Sequence, residues 1–482
     1  MSTTFIDHLF KQRSNRDVIA TAAEIKKTPG TPKQLLHAIK SSELEDWLKK
    51  EALTRLSSLP DGLNPQEKKD LLEMANRYPD GSMEMIALND LNKMSQFVNS
   101  PKDLLDRARQ GFSLLKNNTT CQDLGTVARG VPGGGASSRA AKWTRLNPET
   151  ARKFGLTEQT PRPLFYVQNK TLLQHTLDFS RFIAQKAGVV FPNIIMTNSE
   201  NVSLLLDTIR TDWTDHTPAE LANTILFNQI VLPRLWVEDG QTTKDKLYPA
   251  GHGDYPFLMA KYGIANALRQ SGIRYFVFSN ADEWLWQADP VMISIADELF
   301  HRGHHMIIIG TKNTNNQFGG GFVRKQDGTL SLVETPRLPW SVVKKGEAPV
   351  AINTTFYLVD VEYLASHENK LLEVEKSLVV KEVPARQKTG IEQIIGVDSW
   401  AGDCFAAVLN PVFIEWPRLN FLGIKDGGFI SGTEILTELG NRSYQQYVNE
   451  AIVSYPRVMN DLINGDTASA QRLLSSGYSY LG

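Results

Sequence analysis

The chain of 482 residues carries 52 Lys+Arg against 53 Asp+Glu, a formal charge of -1, so no global basic field is available to hold nucleic acid or an anionic membrane. Its two cysteines, Cys121 and Cys404, are too few for a disulfide framework or a multi-cysteine metal site, which fits a reducing, cytoplasmic setting. Neither the opening MSTTFIDHLFKQRSNRD nor any later segment has the run of roughly 20 apolar residues that spans a bilayer, so membrane functions are not expected.

Residues 1–118 are rich in charge, with apolar positions at helical spacing. Leu44, Trp47, Leu48, Ala52 and Leu56 follow Ser42 and Glu45, which have capping-box spacing, and Pro60-Asp61-Gly62 and Pro79-Asp80-Gly81 supply turns. A helical N-terminal region packed on the main domain is expected. From residue 119 short apolar runs alternate with helix-length connections: LFYV at 164, NIIMT at 193, TILF at 224, YFVF at 275, MIIIG at 306 and FYLV at 356. Strands so spaced predict an α/β fold with a mostly parallel sheet covered on both faces, extending to residue 430. Gly319-Gly320-Gly321 and Asp327-Gly328 suggest hairpins inserted in it. Residues 431–482 return to helical patterns in ELGNRSYQQYVNEAI and TASAQRLLSS.

Two segments carry chemistry. GVPGGGASSRAAKW, residues 130–143, combines Gly133, Gly134 and Gly135 with Ser137, Ser138, Arg139 and Lys142. Glycines let backbone N–H groups approach an anion, hydroxyls donate to phosphate oxygens and the cations offset charge. It reads as a triphosphate cradle or as a mobile surface loop, and it matches neither a Walker motif nor a dinucleotide fingerprint. The second segment, Tyr248 to Asp289, joins a glycine-broken loop, AGHGD, to an amphipathic helix and an apolar strand whose polar end holds Asn280 and Asp282. Doubly wound folds bind ligands at such strand ends. There a carboxylate such as Asp282 suits Mg²⁺, which takes one or two carboxylates plus phosphate oxygens, or else caps the following helix.

In chain order, GGGASSRAAK, FNQIVLPRL, AGHGD, YFVFSNADEWLWQAD, FGGGFVRKQDGTLSLVE, AINTTFYLV and PRLNFLGIKD resemble the serial motifs of the eukaryotic-type UDP-sugar pyrophosphorylases, the UDP-glucose and UDP-N-acetylhexosamine uridylyltransferases. The resemblance spans roughly residues 125–428. It implies a Rossmann-like, GT-A-like nucleotidyltransferase core that joins UTP, or another nucleoside triphosphate, to a sugar 1-phosphate with Mg²⁺ and releases pyrophosphate. It further implies that Asp282 and Asp398 serve the metal, that Arg139, Lys142 and Lys425 meet phosphate, and that Gln229 reads the base edge beside Gly251 and Gly253. His252 would touch nucleotide and sugar phosphate, and Asn280, Gly320, Gly321, Glu334 and Asn353 would serve the sugar. The chain departs from the family pattern in three places. It has Lys142-Trp143-Thr144-Arg145 where the glycine motif continues to a Gly-Pro-Lys-like ending, so Lys142 or Arg145 replaces that lysine. Glu283 and Thr355 stand where asparagines are usual, and the C-terminus lacks the short strands of a terminal β-helix. The alternatives are a GT-A-type glycosyltransferase acting on a UDP-sugar through Asp282 and Glu283, and a non-catalytic nucleotide-binding protein.

Overall fold

The computed structural model describes residues 5–11, 19–27, 64, 66–67, 77–86, 92–116, 124–135, 138–199, 201–239, 243, 247–281, 289–313, 320–343, 349, 351–373, 377–386, 390–416, 435–436 and 442–477. Its centre is a nine-stranded sheet: β1 (Ile19–Thr21), β2 (Asn92–Lys93), β3 (Val127–Pro132), β4 (Asn193–Thr197), β5 (Thr224–Asn228), β6 (Tyr275–Phe278), β7 (Met306–Lys312), β8 (Ala351–Asp360) and β9 (Pro411–Glu415). In space the order is β1-β5-β4-β3-β6-β8-β7-β9-β2. Neighbouring pairs are parallel except where β1 meets β5 and where β8 lies between β6 and β7. The fold is thus Rossmann-like, a mostly parallel sheet with two reversed strands.

Strand β6 shows why these residues make a central strand. Its four residues YFVF are all buried, Tyr275 and Val277 in one apolar cluster and Phe276 and Phe278 in another. Alternate side chains leave a strand on opposite faces, so a fully apolar run is stable only with helices on both sides. On the first face, helix Pro101–Lys116 lays its stripe of Leu104, Leu105, Ala108 and Leu115 against helix Pro290–His301. Contact is close enough that a Cβ at Gly111 would lie 1.6 Å from the Pro290 carbonyl oxygen. Helices Tyr444–Asn464 and Thr467–Ser475 pack on the same helix, and Tyr455 meets Phe179 edge-on at 4.7 Å. No described helix is long and apolar enough to cross a membrane.

Three features differ from the sequence reading. The N-terminal stretch also supplies strands, since β1 and β2 close the two edges of the main sheet and Met83–Met85 joins the hairpin Gly321–Lys325/Leu330–Val333. LFYV at 164 is not a sheet strand. Pro161 and Pro163 favour a 3₁₀ turn there, and Gln168 and Asn169, at φ 50° and 65°, make a tight hairpin from the remaining residues. Conversely VARGVP and PVFIE, not among the apolar runs named above, are strands β3 and β9.

Candidate active site

The parallel strands β5, β4, β3 and β6 end along one edge, and β8, being reversed, begins there. This topology brings the end of β3 (Gly133, Gly134), Gln229, Asn280 and Asn353 to a common rim, where doubly wound sheets bind ligands. After β3 the chain turns at once, with Gly133 N–H donating to Val131 O at 3.0 Å. Gly134 passes so near β4 that a Cβ would stand 2.5 Å from the Thr197 carbonyl carbon. Two side-chain amides hold the turn: Asn198 donates to Gly134 O and Asn201 to Gly135 O at 3.2 Å. A Cβ at Gly135 would meet no described residue within 4 Å. Ser137 lies outside the described residues, and Ser138 and Arg139 begin helix Ser138–Leu146.

From that helix Lys142 forms an ion pair with Glu382, and Arg145 is bidentate to Glu158 at 2.8 and 2.7 Å while donating to Ala385 O at 2.7 Å. Both cations therefore tie the helix to its surroundings, Arg145 most firmly. Beneath the rim, buried Arg129 on β3 donates to Thr176 O at 2.5 Å, Ser180 Oγ at 3.2 Å and Ser279 Oγ at 3.1 Å. Burial pushes this guanidinium well below its ordinary range, and its bonds fix the Ser279-Asn280 end of β6 against β3.

The AGHGD loop is built differently. Gly251 has φ +91°, and a Cβ there would lie 2.0 Å from Asp398 Oδ1. A Cβ at Gly253 would lie 2.6 Å from Ser399 Oγ. Gly253 N–H donates to Ser399 O at 3.0 Å and Ser399 Oγ–H to Ala250 O at 3.2 Å. Ala401 N–H, at the start of helix Ala401–Val408, donates to His252 Nδ1 at 3.0 Å, so in the neutral imidazole the proton sits on Nε2. Gln229 is 4 % exposed; its N–H donates to Thr197 O at 2.6 Å and its Nε2 to Gly251 O. The amide is thereby oriented, leaving Oε1 buried and without a hydrogen-bond partner among the described residues.

Asp398, buried behind Gly251, accepts the Ser399 N–H at 3.1 Å and is paired with Lys381. Buried Arg234 lies near enough to feel the same carboxylate and donates to Pro249 O at 2.8 Å. Of the two expected metal ligands, Asp282 lies outside the described residues and Asp398 is engaged by Lys381. Among the described residues no group of carboxylates, histidines or cysteines assembles a cation site. Lys425 also lies outside them.

Further along the rim, Gly320 approaches Glu334 so closely that a Cβ would stand 2.8 Å from its Oε1, and Gly321 starts the hairpin strand against Met85. Asn353 donates to Tyr357 Oη at 2.8 Å and accepts the Thr355 N–H at 2.9 Å. These bonds span a bulge between β7 and β8, where Thr355 adopts φ +62°. Asn198, Asn201, Ser399 and Lys381 were not anticipated. Asn198 carried a signal, a polar residue one step past the apolar run NIIMT, whereas Lys381, between valines in VVKEV, carried none.

Residues 145–432 match the family described as UTP–glucose-1-phosphate uridylyltransferase. The chain belongs to that family. The match starts beyond the glycine turn and includes the AGHGD loop, Asp282, the Gly320 hairpin and Lys425. The UTP–glucose-1-phosphate uridylyltransferase of Hordeum vulgare is 25% identical over 378 residues, covering 75% of this chain and 72% of the relative. That of Musa acuminata is 26% identical over 379 residues, covering 75% and 73%. Among solved structures, the uridine diphosphate N-acetylglucosamine pyrophosphorylase of Trypanosoma brucei superposes with a TM-score of 0.57 at 14% identity, covering 95% of this chain and 90% of that one. The UDP-glucose phosphorylase of the same organism gives 0.53 at 15% identity, covering 84% and 76%. These structures share the fold of this chain, and uridylyl transfer between UTP and a sugar 1-phosphate is the family's reaction.

Proposed function

We propose that this chain joins UTP to a hexose 1-phosphate, with the uracil held by Gln229 and the AGHGD loop and the triphosphate over Gly133–Gly135. A phosphate oxygen of the sugar attacks the α-phosphorus in line; the new O–P bond forms as the α–β anhydride bond breaks and pyrophosphate leaves. The protein's work is to align two anions and offset their repulsion. The observation that carries the reading is Gln229. Its NH₂ is committed to Gly251 O, and its buried Oε1 is an acceptor with no donor among the described residues. Uracil supplies one, its N3–H, whereas N3 of cytosine is itself an acceptor and would repel it. His252, protonated on Nε2, is the donor toward a phosphate oxygen, and Arg139 and Lys142, which follow the glycine segment, and Lys425 are the cations assigned to the phosphates.

A divalent cation, which this family generally uses, is assigned to Asp282, where it would neutralise phosphate charge when bound. Lys381 rather than a metal balances Asp398. Asn280, Gly320, Gly321, Glu334 and Asn353 are assigned to the sugar, a carboxylate being an acceptor for two hydroxyls. The choice between glucose and N-acetylglucosamine falls to assay. Pyrophosphate release is measured with UTP or CTP and a panel of sugar 1-phosphates: UTP turnover is expected, with Gln229→Ala lowering kcat/KM for UTP by about ten- to a hundredfold. Folded protein that releases pyrophosphate from no pair, or accepts CTP as well as UTP, overturns the proposal.

A further inference from the structure

A separate cavity of about 360 Å³ lies behind the hairpin that carries Gly320 and Glu334. None of Gln229, His252, Asn280 or Asn353 lines it; it is walled by the hairpin, by helix Ala401–Val408 and by Lys370 and Glu373, which follow strand β8 in the chain. Its polar wall comprises Tyr78, Lys325, Arg337, Lys370, Glu373 and Asp403, over an apolar floor that includes Leu332 and Val408.

Asp403 is 7% exposed. Its Oδ2 lies 3.4 Å from an Arg337 terminal nitrogen and the Glu334 backbone N–H also reaches the carboxyl, while its Oδ1 is buried with no hydrogen-bond partner among the described residues. The other terminal nitrogen of Arg337 donates to Tyr78 Oη at 2.7 Å, and the guanidinium lies 4.8 Å over the Tyr78 ring, making a rigid flat wall. Lys325 and Lys370 make no ion pair among the described residues. Burial pushes the Asp403 carboxyl up to about 7, against the pull of Arg337, so near neutral pH it either accepts a hydroxyl donor or offers its own proton.

A buried acceptor lacking a donor, beside two unpaired ammonium groups, calls for a ligand with a hydroxyl at one end and an anion at the other. We propose that this cavity binds a small phosphorylated sugar or polyol, its phosphate between Lys325 and Lys370 and a hydroxyl donating to Asp403 Oδ1. The volume falls at the low end of ligand pockets, room for a sugar phosphate rather than a nucleotide.

Calorimetric titration of the full chain with glucose 6-phosphate tests this, with glucose and inorganic phosphate titrated separately. One site is expected, with either half binding at least tenfold more weakly. Lys325→Ala/Lys370→Ala should weaken glucose 6-phosphate at least tenfold while melting as the parent does, since neither ammonium is paired among the described residues; Gln229→Ala should leave the affinity unchanged. No measurable binding, an affinity unmoved in the double variant, an affinity lost in Gln229→Ala, or phosphate alone binding equally well would each overturn the proposal.

Discussion

The glycines after β3 and the glycines of the AGHGD loop occupy the same edge of one sheet, yet they are glycines for different reasons. Gly251 and Gly253 are pressed onto the Asp398–Ala401 turn, where any side chain would collide with backbone or a buried carboxylate. Among the described residues Gly134 is pressed onto the end of β4, and a Cβ at Gly135 would meet nothing within 4 Å. One loop is glycine because the protein packs against it. The other is glycine, at Gly135, where no described residue packs against it.

Substitution separates these cases. Gly251→Ala combines a collision at 2.0 Å with a positive φ and should cost about 3 kcal/mol or more in urea denaturation; a loss under about 1 kcal/mol would mean that the loop yields. Gly134→Ala, facing backbone at 2.5 Å, should cost about 2 kcal/mol. Lys381→Met strands a buried carboxylate, but the lysine side chain is 36% exposed, so about 1–2 kcal/mol is expected, most of it recovered in a double variant with Asp398→Asn. An additive double variant would show that the pair contributes nothing to the loop's support. Thr355→Asn should stabilise by about 1 kcal/mol, because asparagine tolerates the left-handed backbone that a β-branched residue resists. Gly135→Ala should alter stability by less than about 0.5 kcal/mol yet raise KM for UTP; an unchanged KM would remove the phosphates from that turn.

The contrast also shows what the chain made legible. Strands β4 to β8 were readable because each is a local apolar run, and both glycine segments were readable because glycine beside polar residues is unusual. Strand β3 was hidden because Gly130 and Pro132 look like loop residues; they are tolerated since Gly130 lets Phe276 and Tyr255 close over it, where a Cβ would stand 2.3 and 2.6 Å away. The reversal of β8 could not be read locally, as direction is set by partners far along the chain. Nor could the ion pairs of Lys142 and Lys381, which depend on how hairpin Ser377–Asp398 folds against helix Ser138–Leu146 and the AGHGD loop. The phosphate lysine expected at Lys142 or Arg145 illustrates this: only the folded chain reveals Glu382, Glu158 and Ala385 as their partners.

Strand β1 is three residues long, with Ile19 opposite Phe227 on the outer side of β5. At ordinary rates of synthesis its partner emerges on the order of ten seconds or more after it does. Until then β1 waits unpaired, and without it β5 would be a bare strand edge of the kind that recruits another chain. Deleting residues 19–21 should therefore leave much of the rim intact while making the protein associate with itself.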